Sequence, residues 1–110
     1  MPITTRNLLD QYTEILQKIY GKHLKKVILY GSYARGDYRD DSDIDIMILT
    51  SLSNMEIEKI ENKIFDVAFE FEMEYGIVIN PVLENEEHFN YWLGALPFYD
   101  NVKKEGVEIG

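Results

Sequence analysis

The stretch over residues 31–49, GSYARGDYRDDSDIDIMIL, constrains this chain more than any other. It joins two apolar runs, residues 27–30 and 44–49, which are predicted strands, through a polar loop. Asp43 and Asp45 open the second run, and alternation of side chains along a strand predicts that both project from one face. Two such carboxylates repel each other unless a cation lies between them. The spacing therefore predicts a site for Mg²⁺ or Mn²⁺, which leave coordination positions for a substrate phosphate.

Residues that suit a phosphate surround this pair. Gly31 ends the first run, where a glycine lets the backbone approach a ligand, and Ser32 begins a predicted helical turn whose N–H groups can hold a phosphate. Arg35 presents a planar fork of donors that fits either a phosphate or a loop carboxylate, and both interpretations stay open. Ser42 is predicted to orient the carboxylates beside it. The stretch thus indicates metal-assisted phosphoryl chemistry.

Gly31-Ser32, ten intervening residues and Asp43-Ile44-Asp45 form a GS-x10-DxD pattern. With it, the chain resembles the DNA polymerase beta nucleotidyltransferase superfamily. The fuller form, GSYARGDYRDDSDID, resembles the minimal nucleotidyltransferase (MNT) domains, which are often paired with a HEPN partner in toxin–antitoxin modules. The resemblance implies an α/β fold, a mixed sheet of about four strands with helices packed mainly on one face.

The same resemblance implies a function and a set of site residues. It implies Mg²⁺-dependent transfer of a nucleoside monophosphate to a hydroxyl. On the resemblance alone, the donor is ATP and the transferred group is AMP. A tyrosine of a HEPN toxin is the acceptor that it suggests, with this chain as the antitoxin. By this resemblance, catalysis and metal binding would fall to Asp43 and Asp45. Nucleotide binding would fall to Gly31, Ser32, Arg35 and Ser42.

A third carboxylate, which many nucleotidyltransferases supply from the next strand, is missing from its expected place. Our best placement of that position is Val78, which cannot coordinate a metal. Asn80, on the same face, offers a neutral oxygen but cannot act as a base, and Glu84 lies further along the strand. The alternative hypothesis is therefore a nucleotide-binding antitoxin with little or no turnover, which neutralises its partner by direct binding.

Length and charge limit the number of domains and the kinds of partner that this chain can have. The chain has 110 residues, predicted as one domain over 1–110, and no cysteine, which fits a cytoplasmic protein. No apolar run reaches the roughly 20 residues of a membrane span. With 20 acidic residues against 11 Lys and Arg, the formal net charge of −9 disfavours an extended nucleic-acid ligand and suits a basic protein partner. Homo- and hetero-oligomers both remain open.

Periodicity and turn residues predict the remaining elements. The longest is a helix that starts at a Ser53–Glu56 capping box and buries a stripe formed by Ile57, Ile60, Ile64, Val67, Ala68 and Phe71. The others are a helix over 4–20, strands over 26–30 and 77–83, a helical region from Asn85, a second short helix over 98–104 and a short strand over 107–109.

Overall fold

The computed structural model describes residues 3–109; residues 1, 2 and 110, which the predicted domain 1–110 includes, lie outside the described residues. The helices and strands are, in chain order, α1 (Ile3–Tyr20), β1 (Leu24–Tyr30), α2 (Ser32–Arg35), β2 (Ile44–Thr50), α3 (Asn54–Tyr75), β3 (Ile79–Asn85), α4 (Glu86–Trp92), α5 (Pro97–Glu105) and β4 (Val107–Glu108).

The four strands form one mixed sheet in the order β3-β2-β1-β4. β1 runs antiparallel to β2 and β4, whereas β2 and β3 are parallel and joined through α3. The Ile44 N–H donates to the Val78 carbonyl over 2.8 Å, so the even-numbered residues of β3 direct their backbone groups toward β2. Pro81, which lacks a donor, therefore faces away from β2. A proline is tolerated there because β3 lies at the edge of the sheet, where no neighbouring strand needs its donor.

The two long helices, α1 and α3, cover one face of the sheet, and the short helices α4 and α5 cover part of the other. The larger core lies under α1 and α3, because the strands turn their even-numbered β2 residues and odd-numbered β1 residues to that face. Its fully buried side chains include Tyr12, Leu9, Leu16, Val27, Ile44, Ile46, Ile48 and Ile64. The α/β fold with helices mainly on one face is confirmed.

Local sequence signals set the ends of α3. Ser53 accepts a hydrogen bond from the Glu56 N–H while the Glu56 carboxylate accepts one from the Ser53 N–H, so the predicted capping box is formed. At the other end, Gly76 adopts φ +70°, which terminates the helix in the left-handed region. β3 begins at Ile79, two residues later than the sequence predicts, because Ile77 and Val78 still belong to the connection.

Helix boundaries elsewhere follow the sequence closely. Asn85 caps α4 by accepting a hydrogen bond from the His88 N–H over 2.9 Å, as predicted. Pro97 occupies the first turn of α5, one residue ahead of the predicted start, where its missing N–H costs no hydrogen bond. Among residues 3–109, no helix combines the length and apolar character that a membrane crossing requires.

Candidate active site

Asp45 lies on the sheet face that α4 and α5 only partly cover. It is the second residue of β2, and its neighbours in register are Tyr30 on β1 and Asn80 on β3. Met47 and Leu49, which share its face, are buried under α4 and α5, whereas Asp45 itself stays partly open at the end of the strand. The strand alternation thus places one carboxylate at the border between a packed core and solvent.

Gly31 makes room for this carboxylate. Its backbone adopts φ +76° and ψ −154°, a region that is essentially restricted to glycine. A Cβ atom on Gly31 would lie 2.4 Å from Asp45 Oδ2, which is far inside the van der Waals limit. The side chain of Asp45 therefore packs directly on the bare backbone of residue 31, and only a glycine permits that contact.

Asp43 directly precedes β2 and is exposed, so only Asp45 of the pair lies within the strand. The two carboxylates are nevertheless close enough to interact electrostatically. The pKa of Asp45 is raised above its usual value, first by burial, and also by the charges of Asp43 and Glu105. A hydrogen bond from Asn80 and the charge of Arg35 act in the opposite direction without cancelling the effect. Asp45 thus carries a negative charge that its surroundings do not fully compensate.

Asn80, rather than Val78, lies beside Asp45. Its Nδ2 donates to Asp45 Oδ1 over 3.3 Å, and the two residues are paired in the parallel register. Val78 precedes β3 and contributes only its carbonyl to the sheet. The register places Glu84 opposite Leu49, four residues or about 13 Å further along the strands, where it accepts a hydrogen bond from the Tyr99 hydroxyl. Neither Val78 nor Glu84 can therefore supply a third carboxylate beside Asp43 and Asp45.

Glu105, which the sequence analysis did not select, reaches the glycine turn from the last residue of α5. Its Oε1 accepts a hydrogen bond from the Gly31 N–H over 3.2 Å. Both of its carboxylate oxygens lie 3.3 Å from a guanidinium nitrogen of Arg35. No local pattern could reveal this contact, because 74 residues separate Gly31 from Glu105.

Arg35 and Ser42 make contacts within the loop. Arg35 Nε donates to Asp37 Oδ2 over 3.3 Å, and this bond, followed by those to Glu105, raises the pKa of Arg35. The Ser42 hydroxyl accepts a hydrogen bond from the Arg39 N–H over 2.7 Å, and its own N–H donates to the Arg39 carbonyl. Ser42 therefore closes the turn before Asp43 instead of contacting a carboxylate. The sequence left open whether Arg35 binds a phosphate or a carboxylate. In the structure it forms ion pairs with the carboxylates of Asp37 and Glu105.

The donor set fits a divalent cation of the Mg²⁺ type. Asp43 and Asp45 would supply the hard oxygen ligands that this ion prefers, and a cation would offset both the burial and the repulsion from Asp43 that raise the pKa of Asp45. The Asn80 amide offers one further oxygen after rotation. Among the residues that the structure describes, no group of three or more His, Cys, Asp or Glu side chains is placed to hold a metal, so the remaining ligands would come from substrate and water.

Comparison with known proteins decides the family. The nucleotidyltransferase domain family model matches residues 9–107. The chain belongs to this family of transferases. A Methanocaldococcus jannaschii protein named "Putative protein adenylyltransferase" is 37% identical over 98 residues, which cover 89% of this chain and 90% of the relative. A second protein of that name and organism is 32% identical, covering 93% and 95% of the two chains.

Solved structures of nucleotidyltransferases share the fold. A protein described as a "putative nucleotidyltransferase" from Sulfolobus solfataricus superposes with a TM-score of 0.60 at 24% identity, covering 96% of this chain and 79% of the other. A "putative minimal nucleotidyltransferase" gives a TM-score of 0.57 at 19% identity, covering 94% of this chain and 93% of the other. A toxin–antitoxin complex with AMP-PNP gives 0.53 at 20%, covering 89% and 69%. The family model confirms the nucleotidyltransferase interpretation of the sequence pattern, and these structures share its fold.

Replacing Gly31 by alanine should displace the Asp45 carboxylate. We expect Gly31→Ala to lower the free energy of unfolding by about 3 kcal/mol, since the strained backbone and the steric overlap both act against folding. Gly94→Ala is the matched control, because Gly94 also has a positive φ (+89°) but nothing lies within 4 Å of an added Cβ. Its expected cost is about 1 kcal/mol. Equal losses for the two variants in urea unfolding would contradict the Asp45 contact.

The raised pKa of Asp45 predicts a pH-dependent stability. Because the folded-state pKa lies above the unfolded value, the folded chain binds more protons in this interval, and Asp45 makes the protein less stable as pH rises. Asp45→Asn removes that cost. In EDTA, we expect the variant to gain stability over the unmodified chain between about pH 4, near the unperturbed carboxyl pKa, and about pH 7. A constant difference in urea unfolding across this range would refute the assignment.

Proposed function

We propose that this chain transfers AMP from ATP to a hydroxyl group on a partner protein and thereby acts as an antitoxin. The observation that carries the proposal is the contact of Asp45 with the bare backbone of Gly31, next to Asp43. It brings the two halves of the GS-x10-DxD pattern into one site. The chain matches two relatives named as protein adenylyltransferases over most of their length, which supports a protein as the acceptor.

Each site residue has a role in this proposal. Asp43 and Asp45 hold Mg²⁺, which when bound neutralises charge on the triphosphate. Gly31 and Ser32 offer backbone N–H groups to the phosphates. Arg35 offsets the negative charge that develops during transfer. Ser42 acts indirectly, since its hydrogen bonds with Arg39 fix the turn that delivers Asp43.

Nucleotide binding requires Glu105 to move. Its carboxylate occupies the Gly31 N–H and the Arg35 guanidinium, which are the donors that a triphosphate would use. A bound phosphate therefore replaces one anion by another at these groups. The exchange also removes the Glu105 charge, which contributes to the raised pKa of Asp45.

The proposed reaction is a substitution at the α-phosphorus of ATP. The acceptor oxygen forms a bond to this phosphorus, the bond to the β-phosphate oxygen breaks, and pyrophosphate leaves. The acceptor proton passes to water, because Asn80 occupies the position beside Asp45 and an amide cannot accept it. A tyrosine acceptor suits this arrangement best, since phenol is a stronger acid than an aliphatic hydroxyl and needs less help from a base.

The partner in this proposal is a HEPN-type toxin. The fold is shared with a chain of a toxin–antitoxin structure that contains AMP-PNP, which supports both a partner protein and an adenine nucleotide as donor. The formal net charge of −9 favours association with a basic partner through complementary fields.

Asn80 also favours a second candidate, an antitoxin that neutralises its partner by binding alone. The amide removes one negative charge from the place where a third carboxylate would hold metal and accept the proton. In this candidate the nucleotide site is idle or regulatory, and neutralisation needs no transfer.

Label transfer separates the two candidates. The chain is incubated with Mg²⁺, ATP labelled at the α-phosphate and the product of the gene adjacent to its own. We expect label on that protein and none when the chain carries Asp43→Ala and Asp45→Ala, because the metal ligands are gone. Label that persists in the double variant would contradict the assigned site.

A toxicity assay completes this experiment. The double variant should fail to protect cells that express the partner, whereas Asp10→Ala, an exposed carboxylate on α1 that is absent from the site, should protect fully. Protection by the double variant, with the complex intact, would establish neutralisation by binding and overturn the enzymatic proposal.

Restoring a carboxylate at position 80 should strengthen metal binding. We expect Asn80→Asp to bind Mg²⁺ at least tenfold more tightly in calorimetry and to label the partner faster, since a third oxygen anion joins Asp43 and Asp45. Without metal, the variant should be less stable, because the hydrogen bond to Asp45 is replaced by repulsion. Asn90→Asp, an exposed change on α4, is the control for added charge alone. Unchanged Mg²⁺ affinity in Asn80→Asp would refute a metal site at this position.

A further inference from the structure

Three large apolar side chains form an exposed row along the second half of α3. Phe65, Phe69 and Met73 follow one another at intervals of four residues, and 44%, 59% and 70% of their surfaces are exposed. Residues spaced in this way are neighbours on one helix face. Single exposed apolar residues are ordinary, but a contiguous row marks a surface that binds a partner. We refer to these three residues as the α3 row.

The charges around the α3 row have one sign. Between residues 64 and 75, α3 carries Asp66, Glu70, Glu72 and Glu74 and no basic residue. On a helix with 3.6 residues per turn, Asp66 and Glu70 flank the row on one side and Glu72 flanks it on the other. An apolar row between acidic flanks complements a surface that is apolar in the middle and basic at its rim.

A groove borders the row on the side of the sheet edge. It runs between α3 and the free edge of β3, with Phe65 and Phe69 on one wall and Asn80 and Pro81 on the other. Asn80 also donates its hydrogen bond to Asp45. A protein segment seated on the row would therefore approach the carboxylates around the edge of the sheet.

Two other occupants fit less well. In a dimer formed through this face, the four acidic residues of one copy would lie against the same four of the other. Each copy also carries a formal net charge of −9, so electrostatic repulsion acts against self-association. An added β-strand would need donors along the outer edge of β3, and Pro81 lacks one at an outward position. Side chains of the α3 row, rather than edge backbone groups, are thus the main recognition element.

We propose that the α3 row is the docking surface for a basic, apolar helix of the partner protein. This inference rests on the proposed function, because it names the surface that delivers the acceptor protein to the Asp43–Asp45 site. The apolar face of the helix packs on Phe65, Phe69 and Met73. Its Lys or Arg side chains pair with the acids that flank the row.

Binding of defined peptides tests the surface. The probes are two fluorescent amphipathic peptides of about 18 residues, roughly five helical turns, with the same Leu face and either Lys or Glu on the flanks. We expect the full chain to bind the Lys peptide at least tenfold more tightly than the Glu peptide in anisotropy titrations. The preference should shrink at about 1 M NaCl, where the Debye length is about 3 Å. Equal binding of the two peptides would overturn the proposal.

Variants locate the binding. Phe69→Gln with Met73→Gln should weaken binding of the Lys peptide at least tenfold, while Met55→Gln should change it less than twofold. Met55 is the matched control, since it is 71% exposed on the same helix but lies outside the row. Amide NMR shifts on adding the Lys peptide should concentrate at residues 65–74. Unchanged affinity of the double variant, or shifts centred elsewhere, would refute the site.

Further measurements separate this inference from the proposed function. Sedimentation of the unmodified chain should show a monomer, and a dimer abolished by Phe69→Gln with Met73→Gln would establish a second copy as the occupant instead. The double variant should retain ATP binding, yet label its partner at least tenfold more slowly. Undiminished labelling would overturn the docking surface alone. Peptide binding at the row by a chain that transfers no AMP would instead overturn the enzymatic function and leave the surface in place.

Discussion

The packing of Asp45 against Gly31 is the contact on which the site depends. A carboxylate rests on a backbone that has no side chain, and the antiparallel register of β1 and β2 fixes this meeting by pairing Asp45 with Tyr30. Partial burial at this point raises the pKa of Asp45 and makes its charge costly. In the proposed function, a bound cation with its triphosphate would turn this cost into binding free energy.

Two neighbours modify this arrangement in opposite ways. Asn80 stabilises the charge of Asp45 with one hydrogen bond, but it contributes no charge of its own to a metal. Glu105 adds a negative charge to the site and holds Arg35 and the Gly31 N–H, the groups that suit a phosphate. Without a nucleotide, anions and hydrogen-bond donors thus lie side by side in the site, with the charge of Asp45 only partly compensated. In the proposed function, a metal ion would bind the anions and a triphosphate would take the donors.

The two faces of the sheet have different roles, one in stability and the other in forming the candidate site. The face under α1 and α3 holds the larger core, whereas the opposite face carries Asp45 at the border of the smaller core under α4 and α5. α3 has a structural side and an exposed side, because the predicted stripe through Ile57, Ile64 and Ala68 faces the core. Phe65, Phe69 and Met73 are exposed on its other side, so the helix can also present a surface to a partner.

The sequence by itself determined the two central strands, the capped helix α3 and the GS-x10-DxD pair. These features depend on neighbours along the chain, which periodicity and turn residues report directly. Only the tertiary structure decided that Asn80, rather than Val78, joins Asp45, because the register of parallel strands depends on the packing of the helix between them. Glu105 enters the site from the last residue of α5, and contacts over so long a separation leave no local pattern.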